Sequence, residues 1–361
     1  MTVTINGTTG ITTPGITNSG NQTISGSLSV SSSNVSSAQS FRNKIINGNF
    51  DYWQRQTSNT NVVNAQYVAD RWINLKSGSP TLNISRQSFT VGQTDVPNEP
   101  TYYLQANTIS STGAANNAYI SQRVESVRTL AGQTATLSFW AKADSAKNIA
   151  IEFVQNFATN GSAEANGVNV TTVSLSTSWQ KYSTTITLPS ISGKTVDSAN
   201  GDYLAVNFWL DAGSNWNSRT NSLGQQSGTF HFSQVQLEAG SVATPYEIRP
   251  FQTELALCQR YYQSIATPPA RGIFTSTTSI ASRLGFVLPV QMRGTPTISM
   301  SGTIPIFDGS TTGTITTIAV AFSTLNSWEI EGNVATGTFT QYRPAIAYVS
   351  GSWYAIASAE L

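Results

Sequence analysis

Charged side chains are scarce in this sequence. Lys, Arg, Asp and Glu make up 10% of its 361 residues and leave a formal net charge of +1, whereas about a quarter is usual in soluble proteins. A nearly neutral chain without a basic cluster cannot attract a polyanion over long range. We therefore expect no nucleic-acid partner.

Cysteine and long apolar runs are also lacking. Cys258 is the single cysteine, which excludes an internal disulfide framework and a thiolate metal cluster. No run of about 18 apolar residues could span a bilayer, and residues 1–30 have neither the basic start nor the apolar core of a signal peptide. We expect no membrane insertion. Because the chain lacks disulfides, its stability must come from packing or from association of subunits.

Residues 1–40 contain no charged and no aromatic side chain, and their β-branched residues are spaced by Gly, Ser and Asn. Such a segment buries too little apolar surface to fold alone. Two interpretations stay open. The segment is either a docking and trimerisation element completed by other chains or a disordered tail.

From Phe41 onward, short apolar–polar alternations recur between clusters of Asn, Gly, Ser and Thr. In TLSFWA, for example, Leu137 and Phe139 share one side and Trp140 takes the other, as on a strand. The longest such row is Leu204, Val206, Phe208 and Leu210. These patterns predict an all-β protein built on an antiparallel jelly-roll β-sandwich.

The composition also predicts how the chain is divided. We expect an N-terminal attachment segment at 1–40, a jelly-roll sandwich at 41–248, a short helical connector at 249–266 and a smaller antiparallel β-domain at 267–361. NKIINGNFD, at 43–51, and TFHFSQVQL, at 229–237, are expected to close the sandwich against each other.

Three local features give sharper predictions. In TFHFSQVQL the apolar phase slips after Phe232, so a β-bulge near Ser233 or Gln234 is expected. After Pro250, the residues Phe251, Leu255, Cys258 and Tyr262 form one stripe of a three-turn helix. In QYVADRW, at 66–72, the arginine is expected to pair with the neighbouring acid or to cover the indole.

Catalytic groups are few. His231, the single histidine, alternates with Phe230 and Phe232 on a strand, and a structural or exposed role is expected for it. Paired carboxylates are the remaining enzymatic option, with Asp202 and Asp211 or Glu329 and Glu331 as candidates. Nothing in the sequence singles out either pair, so we predict no enzymatic activity.

Binding residues are easier to nominate. Six of the eight tryptophans fall within the expected sandwich, and some face away from its aliphatic rows. Aromatic rings flanked by neutral amides and hydroxyls suit sugars. The candidate ligand-binding residues are Trp140, Tyr203, Trp209, Asn215, Trp216 and Asn217, with cover by a loop or a neighbouring subunit as the alternative.

No cofactor is expected. Asn47, Asn49, Asp51 and Glu238 could supply oxygen ligands to a structural calcium ion where the first and last strands meet. Their spacing matches no standard loop, and Asn-Gly is first of all a turn signal. We favour the turn.

The run FRNKIINGNFDYWQRQT, with YVADRW, SFWAKA and FHFSQVQLEAG, resembles a module of bacteriophage tail-fibre and related virion proteins over about residues 41–263. That module is similar to the galactose-binding-type jelly rolls of carbohydrate-binding modules. MTVTINGTTGI resembles the start of phage fibres, and QMRGTPTISMSG a C-terminal β-domain that often follows. Gln234 and Gln236 stand where those modules commonly place a calcium-binding aspartate, which argues against the metal.

The resemblance implies a homotrimeric virion protein on the tail or another external appendage, assembled in the host cytoplasm. It implies attachment to other virion proteins through residues 1–40 and binding of host-surface polysaccharide. A purely architectural virion component, such as a head fibre, decoration or spacer protein, is the alternative. A polysaccharide depolymerase is the third.

Overall fold

The structure consists mainly of short β-strands. It is a computed structural model that describes residues 41–266, 270–274, 282–302, 304–336, 339–347 and 354–361. The attachment segment expected at 1–40 lies outside the described residues. The chain is all-β, as predicted, and residues from 41 onward belong to one compact unit. Within the described part, no helix is long and apolar enough to cross a membrane.

Twelve strands form the first half of the structure. They are β1 (Ser58–Asn59), β2 (Gln66–Tyr67), β3 (Trp72–Ser77), β4 (Thr81–Ser88), β5 (Tyr102–Ile109), β6 (Asn117–Glu125), β7 (Thr134–Ala143), β8 (Lys147–Asn156), β9 (Ala165–Leu175), β10 (Gln180–Thr187), β11 (Tyr203–Ala212) and β12 (Gly228–Ala239). One sheet has the order β1-β4-β5-β12-β7-β10 and the other β2-β3-β6-β11-β8-β9. All their pairings are antiparallel, as in a jelly-roll sandwich.

The predicted apolar rows build the core between these sheets. Leu204, Val206, Phe208 and Leu210 are fully buried, and Leu137 with Phe139 faces them from the other sheet. The ring of Phe139 meets that of Phe208 edge to face, with centroids 5.2 Å apart. Two amphipathic sheets bury their apolar sides against each other in this way.

The bulge in β12 is confirmed. The pairing of β12 with β7 shifts between Ser233 and Gln236, and Gln234 has a φ of 51°. The extra residue restores the inward direction, so Phe232 and Val235 are both fully buried.

The opening stretch 43–51 contacts β12 but does not form a strand, which corrects the expected strand pairing. The Lys44 amide donates to the Leu237 carbonyl at 2.8 Å, and the Val235 amide donates to the Gly48 carbonyl at 2.8 Å. Positive φ angles at Asn47 and Phe50 interrupt the extended backbone there. The segment closes the sandwich through turns.

The predicted helix is shorter than expected. Helix α2 (Phe251–Gln259) follows a four-residue helix α1 (Asn217–Thr220) and ends before Tyr262, which already lies in the next strand. Phe251 is 65% exposed while Cys258 is fully buried. The stripe is therefore not continuous, and residues 249–266 are helical over only part of their length.

Nine further strands complete the structure. They are β13 (Tyr262–Ala266), β14 (Ala270–Phe274), β15 (Ser282–Val287), β16 (Thr297–Ser301), β17 (Ile304–Phe307), β18 (Thr312–Ser323), β19 (Ser327–Thr336), β20 (Pro344–Ala347) and β21 (Tyr354–Ser358). Six of them close into a barrel of order β14-β15-β19-β18-β17-β20, and β21 lies between β13 and β16 in a small sheet. A second core around Phe286, Ile306 and Trp328 fills this part.

Candidate functional site

The outer side of the second sheet carries most of the nominated residues. Strand β11 lies between β6 and β8, and its register sets Asn207 opposite Ser121 on one side and Glu152 on the other. Since side chains alternate, Tyr203, Asn207 and Trp209 point away from the core. We call this surface the polar face and define it by Tyr119, Ser121, Arg123, Tyr203, Ala205 and Asn207.

Glu152 is the anchor beneath the polar face. It is fully buried and accepts hydrogen bonds from the Asn207 amide and the Trp209 indole, both at 2.9 Å. Arg219 adds a two-point ion pair, with Nε to Oε1 at 2.6 Å and Nη2 to Oε2 at 2.9 Å. The Gly167 amide donates at 2.8 Å. Five donor groups therefore occupy the two oxygens of this buried carboxylate, which leaves no free lone pair to face a ligand.

Arg219 also fixes the loop that covers one end of the polar face. Its guanidinium carbon lies 5.3 Å from the Trp209 ring centroid and 5.6 Å from that of Trp216. The Trp216 indole donates to the Ala115 carbonyl at 2.9 Å. Cation–π contacts and the buried ion pair together hold the segment 214–223 against the sheet.

The other end of the polar face is open. A cavity of about 200 Å³ is lined by residues that include Tyr119, Arg123, Glu164, Tyr203, Asn207 and Arg219. Its walls are mostly polar atoms, and two half-buried tyrosine rings flank them. The Arg123 guanidinium carbon lies 4.8 Å from the Tyr203 ring centroid. The hydroxyl, amide and guanidinium groups of this lining can form hydrogen bonds with a polar ligand.

The tyrosines of this cavity stay uncharged at neutral pH. Burial raises the pKa of Tyr119 to about 12, although Arg219 opposes the rise. Burial also raises the pKa of Tyr203, again opposed by a neighbouring arginine, Arg123. Each phenol therefore remains able both to donate and to accept a hydrogen bond.

The nominated residues divide between two surfaces. Tyr203 lines the cavity of the polar face, and Asn215 and Asn217 are exposed in the loop beside it. Trp140 lies on the opposite sheet, at the outer side of β7. The structure therefore does not bring Trp140 together with the other five.

Trp209 offers no stacking surface, which corrects its nomination. It is fully buried, its ring stacks on Tyr119 with centroids 4.1 Å apart, and Trp216 lies 5.5 Å away. The ring faces outward from the sheet, as its alternation indicates, but Tyr119 and the 214–223 loop cover it. Cover by a loop, the alternative to a ligand-binding role, therefore describes Trp209.

Three of the four metal candidates, Asn47, Asn49 and Asp51, line one cavity, and Glu238 is not among its lining residues. The Asn47 side chain stabilises the turn, because its amide nitrogen donates to the carbonyls of Tyr52 and Asp70 at 2.9 and 3.0 Å. Glu238 accepts from Thr244 instead, at 2.7 Å from its hydroxyl. Among the described residues, no group of three or more His, Cys, Asp or Glu is placed to hold a metal ion.

The first candidate acid pair, Asp202 and Asp211, does not form a hydrolytic site. Asp202 and Asp211 lie nine residues apart at opposite ends of β11, which at about 3.3 Å per residue is roughly 30 Å. Two carboxylates that flank a glycosidic bond lie within about 10 Å of each other. Glu329 is half-buried, and the side chain of Glu331 lies outside the described part of the structure.

Several residues of the polar face escaped the sequence argument. Tyr119, Ser121 and Arg123 alternate in NAYISQRVE, a period-2 pattern that could have placed all three on one side. Glu152 interrupts the apolar run IAIEFV, and an acid in such a run signals a buried partner. Arg219 carries no local signal, because its partner lies 67 residues away.

No family model matches this sequence, and no curated protein matches it. Comparison with solved structures finds a family 4 carbohydrate-binding module at 19% identity and TM-score 0.31, covering 54% of this chain and 98% of that one. A family 11 carbohydrate-binding module from Clostridium thermocellum, in complex with a mixed-linked tetrasaccharide, has 10% identity and TM-score 0.32, covering 53% and 99%. The enzymatically active domain of bacteriophage CBA120 tailspike protein 4 has 11% identity and TM-score 0.33, covering 55% of this chain and 22% of that one.

Proposed function

We propose that this chain is a non-enzymatic, trimeric phage virion protein of the tail-fibre type, and that it binds host-surface glycans through the polar face. Residues 1–40 attach it to other virion proteins. The virion part of the proposal is supported by the sequence resemblance of residues 41–263 and of the opening MTVTINGTTGI to phage fibre proteins.

The glycan part is supported by the open cavity beside Tyr203. The Asn207 amide and Arg219 are held in place by the buried Glu152, and Tyr119 stacks on Trp209, which also donates to Glu152. Arg123 lies over the Tyr203 ring. Positioned rings and neutral hydrogen-bonding groups bind sugars without large reorganisation. One shallow site binds weakly, so the trimer supplies avidity by presenting several copies.

The absence of an enzymatic role is proposed on the chemistry of the acids. Both oxygens of Glu152, the buried carboxylate beneath the polar face, accept hydrogen bonds from the protein. General acid catalysis requires a proton at an oxygen that can reach substrate. Neither Glu152 oxygen can reach a substrate, because the side chain is fully buried and both oxygens accept hydrogen bonds from the protein.

A glycan array with the full-length protein tests the proposal. Binding of host-surface polysaccharide should fall about tenfold in Tyr203→Ala, corresponding to about 1.4 kcal/mol for one lost stacking partner. Tyr342→Ala, which removes a 73% exposed tyrosine from the C-terminal part, is the matched control and should bind like the parent. No binding by the parent, or equal binding by both variants, favours the architectural alternative.

The virion assignment has its own test. Gold-labelled antibody against this protein should decorate an external appendage of intact phage particles, and sedimentation should give the mass of a trimer. A version lacking residues 1–40 should fail to enter particles. Unchanged incorporation of the truncated chain would exclude the docking role.

A further inference from the structure

A second groove lies on the opposite sheet, away from the polar face. It consists of two adjoining cavities of about 510 and 370 Å³ that share Asn98, Gln234 and Tyr246 as lining residues. We call it the bulge groove, because the β-bulge at Gln234 forms part of its wall. Its combined size accommodates several sugar units, whereas the cavity beside Tyr203 is much smaller.

Aromatic rings stand at both ends of the bulge groove. Trp140, from β7, lines one end beside Lys181. Tyr102 and Phe251 line the other. Phe251 is 65% exposed, although a large apolar side chain at the start of a helix usually packs inward. Exposed rings separated by amide side chains suit a chain of sugars, each stacking one C–H face.

Hydrogen-bond acceptors collect at the Phe251 end. The Asn49 amide nitrogen donates to Asp51 Oδ2 at 2.9 Å, which leaves the Asn49 Oδ1 buried and without a partner. An unpaired buried acceptor is costly and is relieved by a donor. Glu99, also in the lining, adds a second carboxylate.

The positive groups nearby are already engaged. Arg249 donates to Glu254 Oε2 at 2.9 Å and lies 3.4 Å from Glu247. Arg86 lies over the Tyr102 ring, 4.2 Å from its centroid. Burial raises the pKa of Asp51, and the carboxylate of Glu254 adds to the rise, against the hydrogen bond from Asn49 and the charge of Arg86. A bound cation at Asp51 would therefore offset its desolvation.

We infer that the bulge groove binds an oligosaccharide with free amino groups, whose ammonium lies at Asn49 and Asp51 while its sugar rings stack on Phe251 and Trp140. An ammonium brings three donors and no acceptor, which matches a pair of side chains offering acceptor oxygens. An acidic glycan would be disfavoured, because its carboxylates would lie beside those of Asp51 and Glu99. The inference does not depend on glycan binding at the polar face.

Calorimetry on the full-length chain tests this inference with defined probes: a glucosamine tetramer, its N-acetylated form, a galacturonate tetramer and tetralysine. The glucosamine tetramer should bind best, and more weakly in high salt because the attraction is charge-based. Asp51→Asn and Trp140→Ala should each lower its affinity about tenfold. Tyr203→Ala should leave it unchanged, so failure of one site is distinguishable from failure of the other.

Matched controls keep the result interpretable. Trp179→Ala removes a half-buried tryptophan that packs on Phe89 and Tyr103 of the same sheet, outside the groove. Asp95→Asn removes an exposed charge nearby. Both should bind like the parent. Absence of binding, equal losses in the control variants, or preference for the galacturonate, N-acetylated or peptide probe would overturn the inference.

Discussion

Arg71 and Glu360 form a buried ion pair across 289 residues of sequence. The Arg71 side chain is 1% exposed, lies over the Tyr261 ring with its guanidinium carbon 3.4 Å from the centroid, and donates to the Arg123 carbonyl at 2.7 Å. The sequence predicted that the arginine of QYVADRW pairs with its neighbouring acid or covers the indole. That prediction is wrong, because Arg71 pairs with Glu360 instead. It ties the sandwich to the segment that follows β21.

Glu360→Ala should cost about 3 to 5 kcal/mol of unfolding free energy, because it leaves the Arg71 guanidinium buried without its counter-charge. Urea unfolding measures the loss. Arg260→Gln is the comparison, since it breaks a pair with Glu125 whose side chains are 40% and 31% exposed. That change should cost about 1 kcal/mol or less, and equal losses would contradict the buried-pair account.

Gly48→Ala should destabilise the closure of the sandwich by about 2 kcal/mol or more, as expected of overpacking. A Cβ at this position would lie 2.1 Å from the Val235 carbonyl oxygen, where the backbone of the opening stretch meets β12. Thermal unfolding checks the loss. Gly294→Ala is the matched substitution, because its Cβ would meet nothing within 4 Å, and it should be nearly neutral.

Stability should depend on pH through His231. Burial, with the nearby charge of Lys142, lowers the pKa of His231 to about 4 from 6.5. Between pH 4 and 6.5 the unfolded chain binds more protons than the folded chain. The free energy of unfolding therefore rises with pH from about 4 to 6.5 and is constant above about 6.5. His231→Gln should remove about 2 kcal/mol of this dependence, allowing for partial exposure. An unchanged pH profile in urea unfolding would exclude the assignment.

Glu152→Gln should loosen the 214–223 segment, since Arg219 would lose its charged partner. We expect a loss of about 3 kcal/mol, faster trypsin cleavage after Arg219 and weaker glycan binding at the polar face. Asp95→Asn, which removes an exposed acid from a loop, controls for a general effect of removing an acid. Trypsin resistance equal to that of the parent would show that the ion pair does not hold the loop.

Patterns confined to one strand were the most predictable part of this fold. The row from Leu204 to Leu210 and the bulge at Gln234 follow from period-2 alternation and its interruption, which need no knowledge of the partner strand. The helix stripe failed at Tyr262, because the same apolar residue serves a helix or a strand equally well. Tertiary pairing decided that position.

The candidate site was less predictable than the fold. Alternation correctly placed Trp209 on the outer side of its sheet, but the cover supplied by Tyr119 and Trp216 depends on a loop whose anchor is Glu152. Trp140 and Tyr203 looked alike in sequence and lie on opposite sheets. Side-chain direction is a local property, whereas exposure is set by whatever packs above it.

The position of β21 between β13 and β16 has a consequence for biosynthesis. Its residues 354–358 pair with β13 on one side and with β16 on the other. During translation, the edge of β13 that pairs with β21 therefore stays unpaired until nearly a hundred later residues have been synthesised. The sandwich can assemble during translation, but this small sheet can form only after β21 has been synthesised. Newly made chains should therefore be most exposed to aggregation and proteases in this interval.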